Sequence, residues 1–174
     1  EAISALHLKY ASQELGAIDI ILSQLAGRDT SKFLIFDVTL ESAKYLKEKN
    51  PSLQLAPSLA HPFDIARYNR ATGGTLYALE EVLANRALFD WVWGDEWDLS
   101  DVDGGVKTLY NGETFAELRS AGLKIALVTP ELHGTSPGLL GGEAHQDAKD
   151  QQTLFERIKN ILALNPDAMC TDYP

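Results

Sequence analysis

Short apolar runs recur along this chain at intervals too long for hairpins. Six of them read as strands: Ala5–Lys9, Phe33–Val38, Gln54–Leu59, Phe89–Trp93, Lys124–Val128 and Ala168–Asp172. Their starts lie 28, 21, 35, 35 and 44 residues apart. Antiparallel neighbours can be joined by two residues, whereas parallel neighbours need a crossover of about a dozen or more. The stretches between the runs carry helical period. Leu15, Ile18, Ile21, Leu22 and Leu25 fall on one stripe. Thr39 can cap a second helix that Leu40, Ala43 and Leu46 continue and Asn50–Pro51 stops. Tyr77, Leu79, Val82, Leu83 and Leu88 give a broadly apolar third segment. Thr114 to Ala121 ends at Gly122, a C′ glycine, and Leu154, Phe155, Ile158, Ile161 and Leu162 form an amphipathic helix ended by Asn165–Pro166.

Consecutive βα units around a parallel sheet follow from this pattern. An open doubly wound sheet and a parallel (β/α) barrel of TIM type both accommodate it. No Gly-x-Gly-x-x-Gly follows any strand, which disfavours the dinucleotide-binding form of the open sheet. Six units in 174 residues extrapolate to roughly 230–250 for eight, the size of a complete barrel. The expectation is one α/β domain over residues 1–174, a barrel of TIM type that is incomplete, with about six of eight units. The chain opens on Glu1, and its last apolar run lies at the final residues, as in a piece of something longer. Two open sheet edges would invite pairing with another chain, so self-association is expected.

Charge narrows the range of functions. With 15 basic and 25 acidic residues the net charge is −10, which opposes non-specific binding to nucleic acid. Cys170 is the one cysteine, so no internal disulfide forms. No apolar run reaches the roughly 18 residues of a membrane span.

In either architecture, ligands bind beyond the carboxyl ends of the strands. Those ends carry His7 and Lys9, then Asp37, His61, Asp95 and Glu96, Glu131 and His133, and Asp172. His7 and Lys9 share one phase of the strand alternation and would both point inward, as a metal or phosphate site or as a hydrogen-bonded core pair. Trp93 and Trp97 flank Asp95 and Glu96, which suits the apolar and polar walls of a substrate cleft as well as simple rim packing. Glu131 and His133 could transfer protons. Residues 133–148 hold four glycines and one proline and read as a lid or a mobile loop. Gly-x-Ser-x-Gly, Walker and His-Glu-x-x-His motifs are absent from the sequence.

Residues 166–174, Pro-Asp-Ala-Met-Cys-Thr-Asp-Tyr-Pro, resemble the last barrel strand of the glycerophosphodiester phosphodiesterases, which ends Thr-Asp-x-Pro. Gly122–Thr129 resembles the family's seventh strand, with Val128 for its tryptophan and Glu131 for its asparagine. Ala5-Leu-His-Leu-Lys9 is similar to the third strand with its Glu-x-Lys, and Phe33–Asp37 to the fourth. The resemblance spans strands three to eight. It implies a phospholipase C-like barrel that cleaves a small-molecule glycerophosphodiester to glycerol 3-phosphate and an alcohol, with Ca²⁺ or Mg²⁺ as the divalent cation. Lys9 then faces the phosphate, and His7 stands at the position of a metal-binding glutamate, although imidazole is a poor ligand for hard cations. The family's His-Arg-Gly, Glu-x-Asp and His-Asp are not in this sequence. The hydrolase reading therefore expects its acid and base histidines in a further N-terminal part. A non-catalytic relative that binds an anionic or phosphorylated ligand is the alternative. An unrelated sugar hydrolase using Asp95, Glu96 or Glu131 as paired carboxylates is a third reading.

Overall fold

The computed structural model describes residues 3–96, 108–129 and 150–170. Every strand pair among them is parallel. One sheet runs β1 (Ser4–His7), β2 (Phe33–Phe36), β3 (Gln54–Ala56), in that order. The other is ordered β5-β4-β6-β7-β8, with β4 at Ser58–Leu59, β5 at Leu76–Tyr77, β6 at Trp91–Gly94, β7 at Lys124–Val128 and β8 at Ala168–Cys170. The two sheets meet in residues 54–59. The Asp90 and Trp93 amides donate to the carbonyls of Leu55 and Pro57 at 3.1 and 3.0 Å, so β6 runs beside both β3 and β4. Pro57 separates those strands because it has no N–H to add to a ladder. Apart from the two-residue β5, the strands therefore succeed one another in chain order.

Six α-helices accompany them: α1 (Leu15–Leu25), α2 (Leu40–Lys49), α3 (Pro62–Thr72), α4 (Leu79–Ala84), α5 (Gly112–Ser120) and α6 (Gln151–Ala163). Successive side chains of a strand point to opposite faces, and the packing follows that alternation. Ile35, Leu55, Val92, Ile125 and Leu127 form one core with Ile18, Leu46, Val82, Leu118 and Ile161 from the helices. The intervening residues Leu34, Phe36, Ala56, Trp91, Trp93 and Ala126 form a separate cluster on the other face. Each fully buried aliphatic side chain in the first core contributes about 1.5–3 kcal/mol relative to exposure. Helix α3 packs elsewhere, with Ile65 and Tyr68 against Ala60 and Leu76.

The helix ends follow from local chemistry. Thr39 Oγ1 accepts from the Ser42 amide at 3.1 Å, and Asn111 Oδ1 from the Thr114 amide at 2.9 Å. At the end of α5 the Gly122 amide donates to Arg119 O at 2.9 Å and the Leu123 amide to Leu118 O at 3.0 Å. This is a Schellman closure, and it places Gly122 at φ 83°.

The structure is α/β with parallel sheets, as the spacing predicts, but several boundaries move. The first strand stops at His7 because Lys9 begins a tight turn, with the Ser12 amide donating to Lys9 O at 2.7 Å. The run Gln54–Leu59 divides at Pro57, and Phe89–Trp93 shifts to Trp91–Gly94. Helix α3 and strand β5 were not anticipated. Tyr77 belongs to β5 rather than to the helix that follows, and its phenolic oxygen accepts from the Leu40 amide at 3.0 Å, at the start of α2. The strand predicted to reach Asp172 is described as far as Cys170. No helix among the described residues is long and apolar enough to cross a membrane.

Gly122→Ala forces a Cβ into the left-handed region, where an L-residue costs about 1–2 kcal/mol. Urea denaturation should show that loss as a lower midpoint at unchanged slope; an unchanged midpoint would contradict the Schellman closure.

Candidate functional site

The carboxyl ends of β1, β2 and β4 are drawn together by Asp37. The apolar run of β2 ends at Phe36, and Asp37 follows at φ 65°. Aspartate is among the few non-glycine residues that tolerate this conformation. The turn is held from outside by Gln13, whose Nε2 donates to Leu8 O at 2.6 Å and to Asp37 O at 2.7 Å. Gln13 Oε1 accepts from the Thr39 amide at 3.3 Å. With its backbone so fixed, the Asp37 carboxylate reaches both neighbouring strands. Oδ2 lies 2.9 Å from His7 Nε2, and Oδ1 accepts from Ser58 Oγ at 2.7 Å. The Asp37 side chain is 13% exposed and that of His7 42%.

A row of rings extends from this cluster across the face opposite the main helical core. The His7 ring stacks on Phe36 at 4.6 Å and 19°, and Phe36 stacks on Trp93 at 3.9 Å and 14°. Phe36 and Trp93 sit on β2 and β6, with β3 and β4 between them. They meet because the intervening register positions are the small residues Ala56 and Ser58. Trp93 thus stacks on Phe36 beside the polar strand ends.

Lys9 is exposed at the start of the Tyr10–Ser12 turn and has no ion-pair partner among the described residues. The alternation that would turn it inward with His7 ends where that turn begins. Beside it, Tyr10, Gln13, Glu14 and Glu41 line part of a cleft of about 290 Å³. His61 caps α3, its Nδ1 accepting from the Phe63 amide at 3.2 Å.

Asp95 and Glu96 follow β6 but have different surroundings. Asp95 is half-buried at the strand end, its amide donating to Leu59 O at 3.1 Å. Glu96 is 3% exposed. Its Oε2 accepts from the Leu109 amide and, at 2.9 Å, from the Tyr110 amide, while Oε1 pairs with the Arg157 guanidinium of α6. Both oxygens therefore hold structure together. The Tyr110 hydroxyl lies 2.9 Å from the carbonyls of both Gly94 and Val128, tying the ends of β6 and β7. A Cβ at position 94 would come within 3.1 Å of the Tyr110 ring, so the glycine permits that approach. Burial, reinforced by the charges of Asp95 and Glu96, raises the Tyr110 phenol well above its ordinary value and keeps it a donor.

Trp97, Glu131 and His133 lie outside the described residues, as do Asp172 and the stretch 133–148. Of the predicted site residues, the structure links His7 to Trp93 through Phe36. Sequence reasoning gave Asp37 no role and missed Gln13, Ser58, Tyr110 and Arg157. An aspartate directly after an apolar strand and two residues before a helix cap is a usable signal for Asp37. Nothing in the spacing points to the others, whose partners are distant in sequence.

The His7–Asp37 pair fits a hard divalent cation poorly. Among the described residues no group of three or more His, Cys, Asp or Glu side chains converges. His7 and Asp37 are each other's partners, and Ser58 occupies the second carboxylate oxygen, whereas Ca²⁺ and Mg²⁺ take about six or more oxygen ligands. No family model matches this chain, and no curated protein matches it.

Removing the Glu96 carboxylate takes the acceptor from the Leu109 and Tyr110 amides and one partner from the Arg157 guanidinium. Glu96→Ala should destabilise the protein by about 3–5 kcal/mol, measured by chemical denaturation. A loss below about 1 kcal/mol would show that the clamp is dispensable.

Proposed function

We propose that these residues form about six of the eight units of a TIM-type (β/α) barrel, and that its carboxyl rim binds and hydrolyses a glycerophosphodiester. Support for the barrel comes from strand order and helix placement. Apart from the two-residue β5, which pairs with β4 on the side away from β6, the strands succeed one another in chain order, and the main core places five helices on one face where a doubly wound sheet would use both.

The observation that carries the function is the grouping at the ends of β1, β2 and β4. A histidine and an aspartate face each other there, an aromatic wall adjoins them, and the lysine two residues beyond His7 has no ion-pair partner among the described residues. In this reading Lys9 supplies a phosphoryl oxygen with the positive charge that a chain of net −10 otherwise lacks. Phe36 and Trp93 take the apolar part of the substrate, and Trp97, Asp95 and Glu96 are the other substrate-binding candidates. Glu131 and His133 serve as proton-transfer groups. A divalent cation would draw its oxygen ligands from residues other than the His7–Asp37 pair. The binding-only alternative is favoured by that same pair, because the position where the resemblance expects a metal ligand holds an imidazole already committed to a carboxylate.

Release of glycerol 3-phosphate from glycerophosphocholine by the purified chain separates these readings, with Ca²⁺, Mg²⁺ and chelator tested in parallel. Hydrolysis by this chain would place a working acid and base within these residues rather than in a further N-terminal part, and Lys9→Ala should then lower kcat/KM about tenfold, as loss of a charged hydrogen bond would. Retained binding of glycerol 3-phosphate without turnover would select the binding-only relative. Neither binding nor turnover would overturn both.

A further inference from the structure

We propose that His7 is a proton-transfer group of this site and that Asp37 is its positioning residue, an inference that rests on the hydrolase reading above. An ionised carboxylate can only accept hydrogen bonds. The 2.9 Å contact between His7 Nε2 and Asp37 Oδ2 therefore puts the proton of the neutral ring on Nε2 and leaves Nδ1 with its lone pair. Asp37 is held in that role from three directions. Ser58 Oγ donates to its other oxygen at 2.7 Å, Gln13 Nε2 donates to its carbonyl at 2.7 Å, and its φ of 65° fixes where the side chain starts. Stacking on Phe36 at 4.6 Å and 19° sets the plane of the imidazole.

Tautomer and ring plane are thus both constrained, while 42% of the side chain stays open to solvent. The Asp37 contact is the one hydrogen bond of the ring among the described residues. Unlike a buried histidine with both nitrogens committed, this one keeps a basic nitrogen uncommitted among the described residues at the carboxyl end of β1. That arrangement suits a general base with a carboxylate behind it. In the step assigned to it, Nδ1 takes a proton from water as the water oxygen bonds to phosphorus. The bond from phosphorus to the departing alcohol oxygen breaks, and the alkoxide takes a proton from solvent. The imidazolium, stabilised by Asp37, then returns its proton to solvent. The net change is one water consumed, with a monoester and an alcohol formed.

Asparagine tolerates the left-handed backbone of residue 37 about as well as aspartate does, so Asp37→Asn tests the carboxylate with little backbone cost. Nitrogen-15 NMR of the His7 ring in the intact chain is the structural readout. Nε2 should be protonated and Nδ1 unprotonated in the neutral wild type, with Asp37→Asn producing a mixed or inverted tautomer. Ser58→Ala, which removes only the second support, should leave the tautomer largely intact. In glycerophosphocholine hydrolysis, Asp37→Asn and His7→Gln should each lower kcat about 100-fold or more with KM changed less than about threefold. Wild-type turnover that survives His7→Gln would overturn this inference and leave the hydrolase reading standing. A wild-type ring protonated on Nδ1, or a tautomer indifferent to Asp37→Asn, would also overturn it. Absence of wild-type turnover with the expected tautomer would defeat the hydrolase reading and, with it, the catalytic role of His7, while the pairing itself remained.

Discussion

The Asp37 carboxylate is the constraint on which the carboxyl rim depends. One side chain reaches β1 through His7 and β4 through Ser58, and its own backbone ends β2. Parallel strands joined by long crossovers have no turn to fix their ends, so something at the rim must do it. Gln13 performs part of the same task in backbone terms, linking Leu8, Asp37 and Thr39. Further round the sheet, Glu96 and Tyr110 tie the ends of β6 and β7 to the segment that leads into α5. The rim is therefore tied by polar side chains, and among the described residues His7 keeps one ring nitrogen and Lys9 its ammonium outside that tying.

The opposite end of the sheet shows what a purely structural polar cluster looks like in this protein. Lys47 Nζ donates to Asp90 Oδ2 and to Leu53 O, both at 2.8 Å, and Asp90 Oδ2 also accepts from the Leu55 amide at 3.1 Å. Asp167 Oδ2 accepts from the Ile125 amide at 2.9 Å. Each of these groups fastens a strand start to its neighbour. At the carboxyl end, by contrast, an imidazole is oriented yet half-open and a lysine lacks an ion-pair partner among the described residues. That difference in hydrogen bonding separates the two ends more clearly than their charge does.

The fold was largely legible because its signals are local. Apolar runs with long spacing give parallel strands, Thr39 gives a helix start, and Gly122 gives a helix end. Helix α3 escaped notice because its apolar residues are interspersed with Arg67, Asn69 and Arg70, and Ile65 and Tyr68 serve a small separate core with Ala60 and Leu76. Strand β5, two residues long, has no periodicity to read. The site was legible only at its ends. His7, Trp93 and the rim carboxylates stood out by position, but no pattern in sequence says that Asp37 meets Ser58, 21 residues on, or that Glu96 meets Arg157, 61 residues on. Glu96 and Asp95 look equivalent in sequence and differ only through burial, which is a property of the assembled fold.

The proposed ligand position is the carboxyl ends of β1, β2 and β4. Amide chemical-shift mapping of the intact chain on titration with glycerol 3-phosphate tests that placement most directly. The largest changes should fall at Leu8, Lys9, Asp37 and Val38, with the His7 ring shifting alongside them. Changes centred instead on Asn50–Leu53 and Asp90, at the opposite end of the sheet, would contradict it.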